Sequence, residues 1–468
     1  MKNISIWKDT IKEKNYPKLS KDINTDILII GGGITGISTL YQLKDSNFDV
    51  ALAEQNKVGN AVTGNSTGKL SYLQNDLIDK IRNNFDDETA SLYLKSQIEG
   101  IKIVTDIIDK EKIDCDLKKV NSCLYTNKNN EVEKIKKLEK FLKRNNIEVY
   151  REKNDIVRNK YMICVNDTYI FHPIKYIYGL LKNNSFPIYE NTSIKKIEKN
   201  ECGYTCYTES NKIKAKKVIV ASHYPYFNIP FLFPIKGSLE KSYLSASIYD
   251  NDPISLISYS NPFISMRTYK NYLVYLSNSH SLSSDINDKK NFEELNKKLN
   301  DLKLKPSYMW SNIDIMTNDG LPYVGKIKDN LFIGTGYNTW GLANGALAGK
   351  ILSDIIINRE NEYVSLFDPK RVNLSKFLGV FNDIYESVNG YIKGFSVKNK
   401  EITYRKKDGN KIMDYNGQEI YQKCPHLGCG LIFNDIEKTW DCPCHGSRFD
   451  TNGKCISGPA NKNNTLKK

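Results

Sequence analysis

Four side chains in one short C-terminal stretch have the types and spacing of metal ligands: Cys424 and His426 as C-x-H, then Cys442 and His445 as C-x-x-H. The segment "CPHLGCGLIFNDIEKTWDCPCHGS" holds four of the ten cysteines and two of the five histidines. Two thiolates and two imidazoles serve either a two-iron, two-sulfide cluster, with the thiolates on one iron and the imidazoles on the other, or a tetrahedral zinc ion. A second constellation lies near the N-terminus, where Gly31, Gly33 and Gly36 fit G-x-G-x-x-G. The three glycines there meet separate needs, namely a tight turn, backbone approach to a pyrophosphate, and close packing of helix on strand.

The elements around those glycines support the dinucleotide reading. Asp26 to Ile30 reads as a buried parallel strand, and Ile34, Ile37, Leu40, Tyr41 and Leu43 give the following segment one apolar helical face. A second strand, "DVALAE", ends at Glu54, eighteen residues past Gly36, where an acid hydrogen-bonds the adenosine ribose. Glu54 argues against a 2'-phosphate, and NAD and FAD both remain open at this point. Two later segments favour FAD. In "KAKKVIVASHYP" the strand Val218 to Ala221 ends in small and polar residues. Further on, Gly334, Gly336 and Gly341 lie between a strand, Leu331 to Ile333, and a long helix whose Ala343, Gly345, Ala346 and Ala348 let it start against a large flat ligand. The positive end of that helix would stabilise negative charge on a reduced flavin. A second G-x-G-x-x-G is missing, so electrons are expected from a substrate rather than from NADH.

The segments "DILIIGGGITGISTLYQL", "GNAVTGNSTGKLS", "FHPIKYIYGLL", "KVIVASHYP" and "DGLPYVG…LFIGTGYNTWGLANG" together resemble the D-amino-acid-oxidase-like FAD-dependent oxidoreductases, which include glycine and sarcosine oxidases. The resemblance implies an α/β fold, a Rossmann-like FAD-binding domain with an α+β substrate domain. It also implies oxidation of a C–N bond of an amine or amino-acid-like substrate by hydride transfer to flavin. Carried over by position, Gly31, Gly33, Gly36 and Glu54 hold the ADP part. Thr63, Asn65, Ser66, Thr67 and Lys69 line the flavin side of the next loop. Ile194 meets the adenine, and Gly336, Trp340, Gly341 and Leu342 lie by the isoalloxazine. Arg267 is the candidate substrate contact, able to bind a carboxylate bidentately. His172, His223 and His280 are isolated in sequence and read as structural.

The C-terminal segment resembles Rieske proteins of the electron-transfer type, a small all-β domain. That resemblance implies a disulfide between Cys429 and Cys444 joining the two ligand loops, and small residues at Gly428, Gly446 and Gly458 to Ala460 covering the cluster. Ser447 would donate to a cluster sulfur. Phe449 stands where high-potential relatives carry a tyrosine, which implies a lower potential here. Flavin domain and Rieske tail together resemble bacterial FAD-dependent oxidoreductases with that arrangement. The expected organisation is 1–370 for the oxidoreductase domain, 371–394 for a connector with one helix, and 395–468 for the Rieske domain. Electrons would then leave singly through the 2Fe-2S cluster to an external one-electron acceptor. The alternatives are a Rieske-type oxygenase, for which His172, His223 and His280 offer no close pair, and a flavin oxidase whose cluster is redox-sensing or structural.

The remaining composition excludes more than it suggests. A net charge of +14 over 468 residues comes from lysines spread along the chain, without the basic stripe and interleaved aromatics of a nucleic-acid binder. In "EVEKIKKLEKFLKR" Val132, Ile135, Leu138 and Leu142 recur at helical spacing, leaving the lysines as a solvated face. The N-terminus lacks an apolar signal core, so a cytoplasmic location is expected and membrane association is not indicated. Cys115, Cys123, Cys164, Cys202, Cys206 and Cys455 show no regular framework and are expected to stay reduced.

Overall fold

The run of branched residues Asp26 to Ile30 forms the centre of a sheet buried on both faces. In the computed structural model, which describes residues 1–152, 156–225, 237–260, 263–371 and 388–466, strand Ile23–Ile30 pairs in parallel with Lys212–Val220 and with Val50–Ala53. Leu331–Thr335 extends the parallel set beside Lys212–Val220. The register Ile30↔Ala53, Ile30↔Val220 and Val220↔Ile333 brings four strand ends level. Gly31, Glu54, Ala221 and Gly334 therefore converge at the carboxyl edge of the sheet, where open α/β sheets bind ligands.

Helix Ile34–Gln42 leaves this edge and crosses helix Gly341–Ile356 at close range. A side chain at Gly345 would lie 2.5 Å from Cγ2 of Ile34, and one at Gly349 2.6 Å from Cβ of Ser38. Gly100, in helix Asp87–Glu111, sits 2.7 Å by the same measure from the carbonyl of Ala343. The small residues expected to face a flat ligand thus also let three helices pack backbone to backbone, and helix–helix packing accounts for Ala343, Gly345 and Gly349.

A second sheet of nine strands runs in the order 306–317, 237–248, 272–281, 265–269, 255–258, 118–126, 161–170, 69–70, with 149–150 at its side. It supplies the wall opposite the nucleotide edge. The lysine-rich segment is the helix Asn129–Arg144, with Ile135, Leu138, Phe141 and Leu142 buried. Register in this sheet corrects one cysteine expectation. Cys123 lies opposite Cys164, and the two are joined as a buried disulfide.

The C-terminal domain is all-β: a meander 403–407, 410–415, 418–421 and a four-stranded sheet 432–434, 439–441, 448–449, 455–457. Its hairpins turn at Asp408-Gly409 and Asn416-Gly417, all four with positive φ, as those dipeptides require. Of the expected connector, residues 372–387 lie outside the described residues, and 388–396 is helical. No helix among the described residues is long and apolar enough to cross a membrane.

Candidate active site

A cavity opens between the nucleotide edge and the second sheet. Gly31, Gly33 and Glu54 line it at one end, Ile194 among them. The Glu54 carboxylate accepts from the amides of Gly32 at 2.7 Å and Asn56 at 2.8 Å, and burial raises its pKa. Thr63, Asn65, Ser66, Thr67 and Lys69 line the middle, and Trp340, Gly341 and Leu342 the far end. Gly36 and Gly336 do not reach the cavity. A Cβ at Gly36 would lie 1.9 Å from the carbonyl of Gly31, and one at Gly336, where φ is +76°, 2.6 Å from Thr317. Both serve close packing behind the wall.

The loop 63–69 is held by long-range anchors. Trp7 Nε1 donates to Ser66 O at 2.7 Å and Trp310 Nε1 to Asn65 O at 2.9 Å. Arg267 Nε donates to Thr67 O, and its guanidinium stacks 4.4 Å over the Trp7 ring. Its Nη groups reach the carbonyls of Thr268 and Phe171, each at 3.4 Å. Arg267 is 0% exposed and does not line the cavity. The expected carboxylate contact is therefore corrected: this guanidinium spends its donors on backbone carbonyls and fastens the loop from behind. Lys69 lines the cavity but donates to Leu256 O at 2.7 Å, and burial, then Arg267, holds its pKa well below the ordinary lysine value.

Sequence reasoning missed several wall residues. His223 and Tyr224 follow strand Lys212–Val220, and Asn312 and Asp314 alternate on strand Pro306–Thr317 with Leu244 and Leu276 nearby. The period-two spacing of Asn312 and Asp314 in an apolar strand was the available signal. His223 Nε2 is buried without a hydrogen-bond partner, and burial lowers its pKa to about 4. His172, by contrast, caps helix Pro173–Leu180, and His280 contacts Tyr243. None of these three histidines falls in a cluster of three or more potential ligand atoms among the described residues.

The C-terminal ligands come together on two loops. His426 and His445 lie with ring centroids 5.0 Å apart. The Nδ1 atoms of both are buried with no hydrogen-bond partner, and Cys424 and Cys442 are buried and unpaired as disulfides. Two orphaned imidazole nitrogens beside two buried thiols are the donor set a 2Fe-2S cluster of this type needs. The disulfide Cys429–Cys444 joins the two loops, and the sulfurs of both residues lie within 4.8 Å of Cys442 Sγ. Ser447 Oγ accepts from Ala460 N at 3.0 Å and also meets the Cys424 thiol.

This domain is docked on the first. The ring of His445 lies 6.0 Å from that of Tyr224, and Ser457 and Gly458 line the same cavity as Gly31 and Trp340. Gln55 and Asn56, next to Glu54, donate to Cys455 Sγ at 3.2 Å and Ile456 O at 3.2 Å.

These features define an FAD-dependent oxidoreductase carrying a Rieske 2Fe-2S domain. The FAD dependent oxidoreductase family (DAO) matches residues 26–355 and the Rieske [2Fe-2S] domain family residues 386–467, and the chain belongs to the first of these with a domain of the second at its C-terminus. The two families bind FAD and a 2Fe-2S cluster respectively. Over 97% of this chain and 96% of the relative, it is 28% identical to the putative Rieske 2Fe-2S iron-sulfur protein YhfW of Bacillus subtilis (strain 168). It is 22% identical to gamma-glutamylputrescine oxidoreductase of Escherichia coli (strain K12) over 73% of this chain and 85% of that one. The crystal structure of glycine oxidase from Geobacillus kaustophilus superposes with a TM-score of 0.62 at 17% identity, covering 75% of this chain and 99% of that one.

Proposed function

We propose that this protein oxidises a C–N bond of an amine or amino-acid-like small molecule in the cavity and passes the electrons singly, through the C-terminal domain, to an external one-electron acceptor. When bound, the flavin supplies hydride acceptance and the cluster one-electron transfer. In this reading Gly31, Gly33 and Glu54 hold the ADP part, Ile194 the adenine, and Thr63, Asn65, Ser66, Thr67 and Lys69 with Trp340, Gly341 and Leu342 the flavin, while Gly36 and Gly336 shape the wall from behind. Cys424, His426, Cys442 and His445 hold the cluster. The reading divides the chain at 370 and 395 and places it in the cytoplasm.

One observation carries it: His445, a cluster ligand in this reading, packs on Tyr224, which lines the flavin cavity. A cluster serving only as a staple gains nothing from that position. Stopped-flow mixing of the anaerobic full-length protein with candidate amines tests the proposal. Flavin bleaching followed by loss of the cluster's visible absorption is expected. A cluster that stays oxidised while the flavin cycles would reject the exit route.

A further inference from the structure

We infer that the facing carboxylates of Asp314 and Glu240 form the subsite for the substrate's cationic nitrogen, and that this chain therefore takes amines lacking a carboxylate next to that nitrogen. The inference rests on the C–N oxidation reading above and narrows its substrate class.

Asp314 and Glu240 are direct cross-strand partners on the antiparallel pair 237–248 and 306–317. Like charges placed directly opposite on one sheet face destabilise it, so the pairing needs a cation between the carboxylates or a proton on one of them. Asp314 lines the main cavity. Glu240 lines an adjoining cavity of about 550 Å³ with Asp76, Lys80 and Lys128, the last of these bonded to Glu131 at 3.2 Å, and Thr339 belongs to both cavities. Asp314 receives a hydrogen bond from the neutral amide of Asn312, at 3.0 Å. Lys80 acts on Glu240, yet burial and Asp76 still raise that carboxyl's pKa, and Lys80 Nζ is donated to Thr317 O at 2.8 Å.

The cations that could hold a substrate carboxylate are withdrawn. No arginine is among the described residues lining the cavity. Arg267 is sealed behind the loop 63–69, and Lys69 is bonded to Leu256 O. Among the described residues, the main cavity's wall offers acceptors and no unengaged cation, which favours a positive ligand and rejects a negative one. His223 offers a second acceptor: its buried Nε2 has no partner in the same cavity wall, suited to the second N–H of a bound amine. An ammonium must lose a proton before its carbon can give up hydride, and the N–H proton passes to a carboxylate oxygen of Asp314, forming O–H as N–H breaks. Burial and Glu240 push the Asp314 carboxyl up to about 7, a range in which it can take and release that proton.

The test titrates full-length, flavin-loaded, oxidised protein at pH 8 with n-butylamine and with racemic norvaline, which differ only by the α-carboxylate, following the flavin's visible band. The amine should bind about tenfold or more tightly than norvaline. Asp314→Asn and Glu240→Gln should each weaken amine binding about tenfold while norvaline binding does not fall. Flavin content and melting temperature establish that both variants are folded. Tighter binding of norvaline, no response to either ligand, or amine affinity unchanged in both variants would overturn the assignment. Amine binding without flavin bleaching would instead refute C–N oxidation of that class and leave the subsite standing. Bleaching by norvaline alone would do the reverse.

Discussion

Lys241 Nζ lies 2.8 Å from Oδ2 of Asp441 and 2.6 Å from Oδ1 of Asp288, a buried cation on the flavin domain's sheet held by one carboxylate from each domain. Arg448 extends the network to Asp441 at 3.1 Å and to Glu437 at 2.7 Å, and Glu437 accepts from the amide of Ser311 at 3.1 Å. These groups clamp the cluster domain to the second sheet, with each buried charge paired.

Lys241→Met would leave Asp288 and Asp441 buried without their shared cation. The transition that releases the C-terminal domain should lose about 3–5 kcal/mol in denaturant melts. Transfer from flavin to cluster should slow in parallel, with iron content unchanged. A melt matching the wild type would show that the network does not hold the domains together.

Tyr224→Leu removes the aromatic ring between the cavity and His445. Flavin reduction by substrate should keep its rate, whereas the second phase, loss of cluster absorption, should slow. Equal slowing of both phases would point to a disturbed flavin site instead.

Arg267→Met tests the correction to its expected role. The variant should lose about 2–4 kcal/mol, because buried carbonyls of Thr67 and Phe171 lose their donor. It should retain less flavin, and the fraction that keeps flavin should bind substrate as the wild type does. A selective rise in substrate KM at full flavin occupancy would restore Arg267 as a substrate contact.

Asp314 predicts a pH dependence of stability. Its carboxyl is raised to about 7 by burial and by Glu240, against about 4 in an unfolded chain. Between those values the folded chain keeps a proton that the unfolded chain has lost. The contribution of this group is therefore full below about pH 4 and is lost as pH rises through the window to 7. Glu240, Asp76 and Lys80 face the same region. The Asp314→Asn variant lacks this term, so its melting temperature should fall less than the wild type's between pH 5 and pH 8 in the flavin-free protein.

Thiol alkylation in denaturant, without reductant and after removal of iron, should modify six of the ten cysteines: 115, 202, 206, 424, 442 and 455. Ten modified thiols would mean that neither Cys123–Cys164 nor Cys429–Cys444 is formed.

The amino-acid sequence determined what depends on neighbours in the chain. The G-x-G-x-x-G turn, the acid ending the next strand, and the two ligand loops are legible because a few residues of spacing fix the geometry of a turn or a chelate. The tertiary structure decided everything that depends on which strand meets which. Strand side chains alternate between faces, so the direction of Asp314, Arg267 or Cys123 is set by register with a distant partner, and a one-residue slip would reverse it. Register placed Glu240 opposite Asp314 and Cys123 opposite Cys164. It also buried Arg267 behind the loop 63–69, outside the cavity where a substrate contact was expected. Docking brought Tyr224 to His445 and Lys241 to Asp441, contacts across 200 residues or more that no local pattern encodes.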